Sequence, residues 1–134
     1  PQTPKPPKPQ INLNKKKKYK RDKYSSDDLY RLKLVIGNKI RNSLNQNKSK
    51  RTEEILGCTF IEFKLYLESK FMGWMNWENY GKYNGEFNHG WDIDHIIPIS
   101  SATTEEEILK LNHYTNLQPL CSRINRDIKK NKLL

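Results

Sequence analysis

Asp94 and His95 stand side by side in the phrase WDIDHIIP, and Asn125 follows later in SRINRDIKK. Adjacent residues on an extended backbone send their side chains to opposite faces. Asp94 can therefore hold a cation while His95 addresses a water. Asn125 falls in the first turn of a closing helix, where its carboxamide oxygen can reach a cation lying between helix and strand. A carboxylate with an amide oxygen is a hard, all-oxygen set that suits one Mg²⁺ or Mn²⁺ ion, with waters and substrate phosphate filling the shell. Zinc would call for His or Cys at position 125. The imidazole of His95, with an ordinary pKa of about 6.5, is available as a base at neutral pH. The same residue types have plainer uses. Asp94 and His95 can form a structural pair, Asn116 can serve a turn, and Asn125 can lie on a helix surface.

Certain elements must position these groups. Residues 91–97 alternate and are β-branched, which predicts a strand that Pro98 stops. Thr104 and Glu107 have capping-box spacing and open a short helix through Leu111. Leu117 to Leu120 predicts the paired strand, and Ser122 caps a last helix running through Asn125 and Lys129. Upstream, Ser25 and Ser26 are placed to cap a helix on which Leu29, Leu32, Ile36, Ile40 and Leu44 form one apolar stripe. Arg31, Lys33, Lys39 and Arg41 lie off that stripe, facing phosphate or solvent. Thr52 opens a short helix ending at Gly57. Thr59 and Glu62 repeat the capping-box spacing ahead of Phe63, Leu67 and Phe71. The stretch GWMNWENYGKYNGEFNHG reads as turns. Trp74, Trp77 and Trp91 suit a small core better than base stacking. The architecture expected is α+β.

The 134 residues suffice for one small domain, preceded by an arm at residues 1–24 that has little to bury. A Pro-rich piece, PQTPKPPKP, leads into a Lys-rich one, KKKKYKRDK, and the arm is expected to be extended and disordered. It carries most of the formal net charge of +10: nine basic residues against Asp22 give +8 over residues 1–23, leaving +2 for the remainder. That balance points to a polyanion, with Lys15, Lys16, Lys17, Lys18, Lys20 and Arg21 as its first contacts and Arg123 and Lys129 as later ones. A solubility tail or a localisation run is the plainer alternative. No apolar run is long enough to span a membrane and no signal peptide is apparent. The expectation is an intracellular protein, cytoplasmic or DNA-associated, and nuclear in a eukaryote. Cys58 and Cys121 lack metal-site spacing and read as reduced, buried groups.

The ordered set of Asp94-His95, Asn116 and Asn125, with the flanking phrases WDIDHIIPIS and HYTNLQPL and a closing N-x-x-x-K, resembles the HNH family of ββα-metal (His-Me finger) nucleases. The resemblance extends back to LGC at 56–58 and covers roughly the last 80 residues, judged by motif order. It implies a ββα-metal core in residues 91–132, within a nuclease domain at 25–134 whose residues 25–72 are helical. It further implies hydrolysis of DNA phosphodiesters, with His95 as base, Asn116 orienting that His, and Asp94 and Asn125 on one Mg²⁺ or Mn²⁺. Duplex DNA is the implied partner, and cutting both strands would call for a homodimer or a larger nucleic-acid-processing complex. One departure stands out: many relatives of that family carry His two residues before the Asp, where this chain has Asp92, read as an exposed strand carboxylate. The alternative is approach to the metal or a change in how phosphate is held, because Asp92 shares a strand face with Asp94. A non-catalytic nucleic-acid-binding or packaging protein on the same fold, or a toxin nuclease acting on RNA or unspecifically on DNA, are the alternatives.

Overall fold

A computed structural model of the protein describes residues 13–129. Its order is α1 (Leu13–Ser26), α2 (Asp28–Ser43), α3 (Thr52–Leu56), α4 (Phe60–Ser69), β1 (Trp91–His95), α5 (Glu105–Leu111), β2 (Leu117–Cys121) and a π-helical segment, Ile124–Lys129. The α+β expectation holds: several helices accompany one antiparallel two-stranded sheet.

The apolar stripe does what its spacing predicts. Leu32, Ile36, Ile40 and Leu44 are buried and meet Phe63 and Leu67 of α4, Leu56, Trp91 and Leu117 in one core. Helix α4 starts with the predicted capping box: Glu62 N–H donates to Thr59 Oγ1 and Thr59 N–H to a Glu62 carboxylate oxygen. Thr104 caps α5 through the Glu107 N–H. Trp77 and Trp91 are core members whose rings meet edge to face at 5.2 Å. Gly90, just before β1, is required by close approach, because a Cβ there would lie 2.7 Å from the Lys82 carbonyl carbon. Cys58 is half-buried, Cys121 is buried, and both are free.

Three expectations need correction. Residues 13–24 belong to helix α1 and are not an extended arm; residues 1–12 lie outside the described residues. The Pro-rich piece ends at Pro9, and beyond it Lys and Arg are good helix formers even without an apolar stripe. The cap of α2 is Asp27, which accepts from the Tyr30 N–H, whereas Ser26 Oγ donates back to the Asp22 carbonyl. Arg31 does not face outward. It is buried, donating to the Trp77 carbonyl and to Asp28 at 3.3 Å.

Candidate active site

Strand register sets the site. Asp94 pairs with Gln118 and Asp92 with Leu120, so both carboxylates leave one face of β1 while Trp91, Ile93 and His95 leave the other. The π-helical segment following β2 brings Asn125, Arg126 and Lys129 to the carboxylate face. Lys39 arrives from α2. Together with Pro98 and Ile99 these residues enclose a pocket of about 460 Å³ that holds both Asp94 and His95. A slightly larger pocket, about 510 Å³ between α3 and α5, has Lys50, Lys110, Glu54, Glu106 and His113 on its walls; His113 Nδ1 is engaged with Thr115 Oγ1 at 2.8 Å.

His95 Nε2 lies 2.8 Å from Asn112 Oδ1. The amide orientation follows from its other contacts, since Asn112 Nδ2 donates to Ser43 Oγ at 2.8 Å and to the Ile108 carbonyl at 3.1 Å. A carbonyl only accepts, so the Asn112 oxygen must face the ring. His95 Nε2 then carries the hydrogen and Nδ1 the lone pair. Burial pushes the His95 pKa down to about 4, aided by Lys39 and Lys129 and opposed by Asn112 and Asp94. The imidazole is neutral at physiological pH.

Asn116 does not touch that ring. Its side chain donates to the carbonyls of Ile97 and Leu111, at 3.0 and 2.8 Å, and accepts from the Ile97 N–H at 2.9 Å. It therefore joins the two ends of the excursion between the strands, and its effect on His95 is indirect. Asn112, fully buried at the end of α5, is the residue the motif reading missed. The available signal was its place four residues after Ile108, on a helix whose end must pack.

Asp94 is buried and its Oδ2 accepts from Lys129 Nζ at 2.7 Å and Gln118 Nε2 at 2.9 Å. Lys129 also donates to the carbonyls of His95 and Ile96, at 2.8 and 3.3 Å. An ammonium has three hydrogens, so all are committed inside the protein. Lys129 is thus neither a solvated helix end nor a free phosphate contact. Arg123 is likewise engaged, through Nη1 to the Gly85 carbonyl, an ion pair with Asp127 and the face of Phe87. Asp92 is also not the exposed strand carboxylate expected. Arg126 grips it in a two-pronged ion pair at 2.7 and 2.8 Å, and Asn125 Nδ2 donates to it at 3.1 Å. Burial works to raise the Asp92 pKa, but the bonds from Arg126 and Asn125 outweigh it and hold the carboxyl below its usual range. Lys15, Lys16, Lys17, Lys18, Lys20 and Arg21 lie on the exposed surface of α1.

Among the described residues no three His, Cys, Asp or Glu side chains converge as a metal-binding group. The donors facing the pocket are a smaller, hard set. Asp94 keeps Oδ1 beside its occupied Oδ2, and because Asn125 turns its nitrogen to Asp92, its oxygen is left over. Two protein oxygens suit a Mg²⁺-class ion that keeps its waters. The surrounding charge is +3 from Lys39, Arg126 and Lys129 against −2 from Asp92 and Asp94. That balance leaves a net charge of +1 at the pocket.

Similar proteins occur in a virus. The uncharacterized protein L426 of Acanthamoeba polyphaga mimivirus is 34% identical over 127 residues, which span 92% of this chain and 52% of that protein. The uncharacterized protein L246 of the same virus is 30% identical over 102 residues, spanning 75% and 42%. The chain spans about half the length of these relatives or less. No family model matches it. No solved structure matches it either. Among the described residues no helix is long and apolar enough to cross a membrane.

Proposed function

We propose that this chain is a metal-dependent endonuclease of the HNH type that hydrolyses DNA phosphodiesters, one strand per site. The observation that carries the reading is the placement of His95: its Nε2 lies 2.8 Å from the Asn112 amide oxygen, which leaves Nδ1 as the nitrogen available as a base, in the pocket that also holds Asp94 and Asn125. A structural Asp-His pair would have the imidazole donate to the neighbouring carboxylate. Here the ring donates to an amide, and Asp94 is satisfied by Lys129 and Gln118.

In the proposed reaction His95 Nδ1 takes a proton from a water, whose oxygen forms the new bond to phosphorus. The P–O3′ bond breaks opposite it, and the leaving oxygen takes a proton from solvent. Asp94 and Asn125 supply oxygens for the Mg²⁺ or Mn²⁺ ion, which when bound stabilises charge on the phosphate and the leaving oxygen. Asn112 fixes the tautomer that makes Nδ1 the acceptor. Asn116 keeps the excursion between the strands closed, so that the backbone after His95 does not swing. The basic surface of α1 supplies non-specific attraction to duplex DNA. One pocket cuts one strand, so a double-strand break requires a second copy or a larger assembly.

The test is supercoiled plasmid incubated with the protein and Mg²⁺ or Mn²⁺, beside the same mixture in EDTA. Nicked circles in the metal-containing samples alone support the proposal; intact plasmid throughout refutes it.

A further inference from the structure

Two pockets meet at Lys39. The second, of about 420 Å³, is lined by Asn38, Asn42, Tyr80 and Asp92, and it shares Lys39 and Asn125 with the candidate active site. Three cations line the active-site pocket, and two are spoken for. Lys129 has given all three hydrogens to Asp94 and two carbonyls, and Arg126 is forked onto Asp92. Lys39 makes neither a hydrogen bond nor an ion pair among the described residues; it senses Asp94 and Asp92 only at longer range.

A half-buried ammonium without a partner is costly, because burial strips water that nothing replaces. Here burial lowers the Lys39 pKa despite the two carboxylates. The cost is relieved by an anion seated against it. The local balance of +3 against −2 leaves one positive charge, which a phosphodiester, a monoanion, would neutralise. Lys39 also stands on the wall common to both pockets, where the chain on one side of a phosphate can enter one pocket and its neighbour the other.

We propose that Lys39 is a phosphate-binding residue, whose ammonium takes a non-bridging oxygen of a DNA phosphodiester lodged between the two pockets. The proposal rests on the nuclease reading for its substrate. It places a residue of helix α2, outside the strand-and-turn motif, in contact with the reacting group.

The experiment follows the side-chain ammonium signals of ¹⁵N-lysine-labelled full-length protein in EDTA, titrated with a short DNA duplex. The Lys39 signal is assigned by its loss in Lys39→Arg. Single-turnover cleavage in Mg²⁺ and thermal melting are measured for Lys39→Gln and Lys39→Arg. The expected result is a Lys39 signal that moves on duplex binding, and a Lys39→Gln rate reduced about 10²-fold with melting little changed. Lys39→Arg should recover most of that rate. A Lys39 signal unmoved at saturating duplex, or Lys39→Gln cutting at the wild-type rate, overturns the proposal. If the wild-type protein cuts nothing, the nuclease reading falls and the titration alone decides: movement upholds a phosphate site at Lys39, stillness removes it.

Discussion

Asn112 Oδ1 sits 2.8 Å from His95 Nε2, and the amide is anchored on helix α2 through Ser43 Oγ. The base of the proposed reaction is therefore oriented by a side chain at the end of α5 that is itself held by an N-terminal helix. Replacing Asn112 by Asp keeps the shape but puts a carboxylate against Nε2–H. That change favours the imidazolium and should move the acid limb of the pH–rate profile upward, toward neutral pH. Asn112→Leu removes the acceptor and should cost about 1–3 kcal/mol of stability through the polar groups it leaves unpaired. Superimposable pH–rate profiles for wild type and Asn112→Asp would remove Asn112 from this role.

Stability should carry the signature of a histidine buried neutral. The His95 pKa falls to about 4 in the folded protein, whereas in the unfolded chain it is the ordinary 6.5. Between those values the unfolded chain binds more protons than the folded one, so stability is lost as pH drops below about 6.5. The carboxylates held below their usual range, Asp92, Glu62 and Glu107, add their own loss only at lower pH. Melting temperature between pH 7 and pH 5 should fall for the wild type and stay flatter for His95→Gln. Parallel curves would contradict the buried, neutral assignment.

The Lys129–Asp94 pair is buried on both sides, with side-chain exposures of 3% and 6%. Truncating one partner of such a pair strands the other charge, at a cost of about 3–5 kcal/mol. Lys129→Ala should show that loss by denaturant unfolding. It should also be stabilised by added Mg²⁺ more than wild type is, because a dication can neutralise the stranded Asp94. A Lys129→Ala protein as stable as wild type would mean that the pair does not persist in solution.

The basic face of α1 should govern affinity and not chemistry. Changing Lys15, Lys16, Lys17, Lys18 and Lys20 to Gln should flatten the plot of log affinity against log salt by up to about 0.9 per lost phosphate contact on duplex DNA. Single-turnover cleavage at saturating DNA should be retained. An unchanged salt slope would assign DNA attraction to another surface.

Much of this arrangement was legible in the residues. The apolar stripe of α2, the caps at Thr59 and Thr104, and a strand opening at Trp91 follow from local rules, although the strand ends at His95 and not at Pro98. What was not legible depends on who meets whom across the fold. Asn112 and Ser43 are 69 positions apart, and Lys129 reaches Asp94 across 35. The family resemblance assigned Asn116 to the imidazole, yet its amide goes to backbone at both ends of the excursion. Arg126 captures Asp92 only because the segment Ile124–Lys129 lies on that face of β1. Helix α1 escaped because it lacks the periodic burial that makes a helix visible, and lysine's propensity alone gives no pattern.

The central claim is that His95 is the general base of a phosphodiester hydrolysis. Single-turnover nicking of supercoiled plasmid in Mg²⁺, by wild type and by His95→Ala with DNA binding matched in EDTA, tests it most directly. The wild-type protein should nick and the variant should lose about 10²- to 10⁴-fold in rate while still binding DNA. Wild-type protein that leaves the plasmid intact in both Mg²⁺ and Mn²⁺, or His95→Ala that nicks at the wild-type rate, would contradict it.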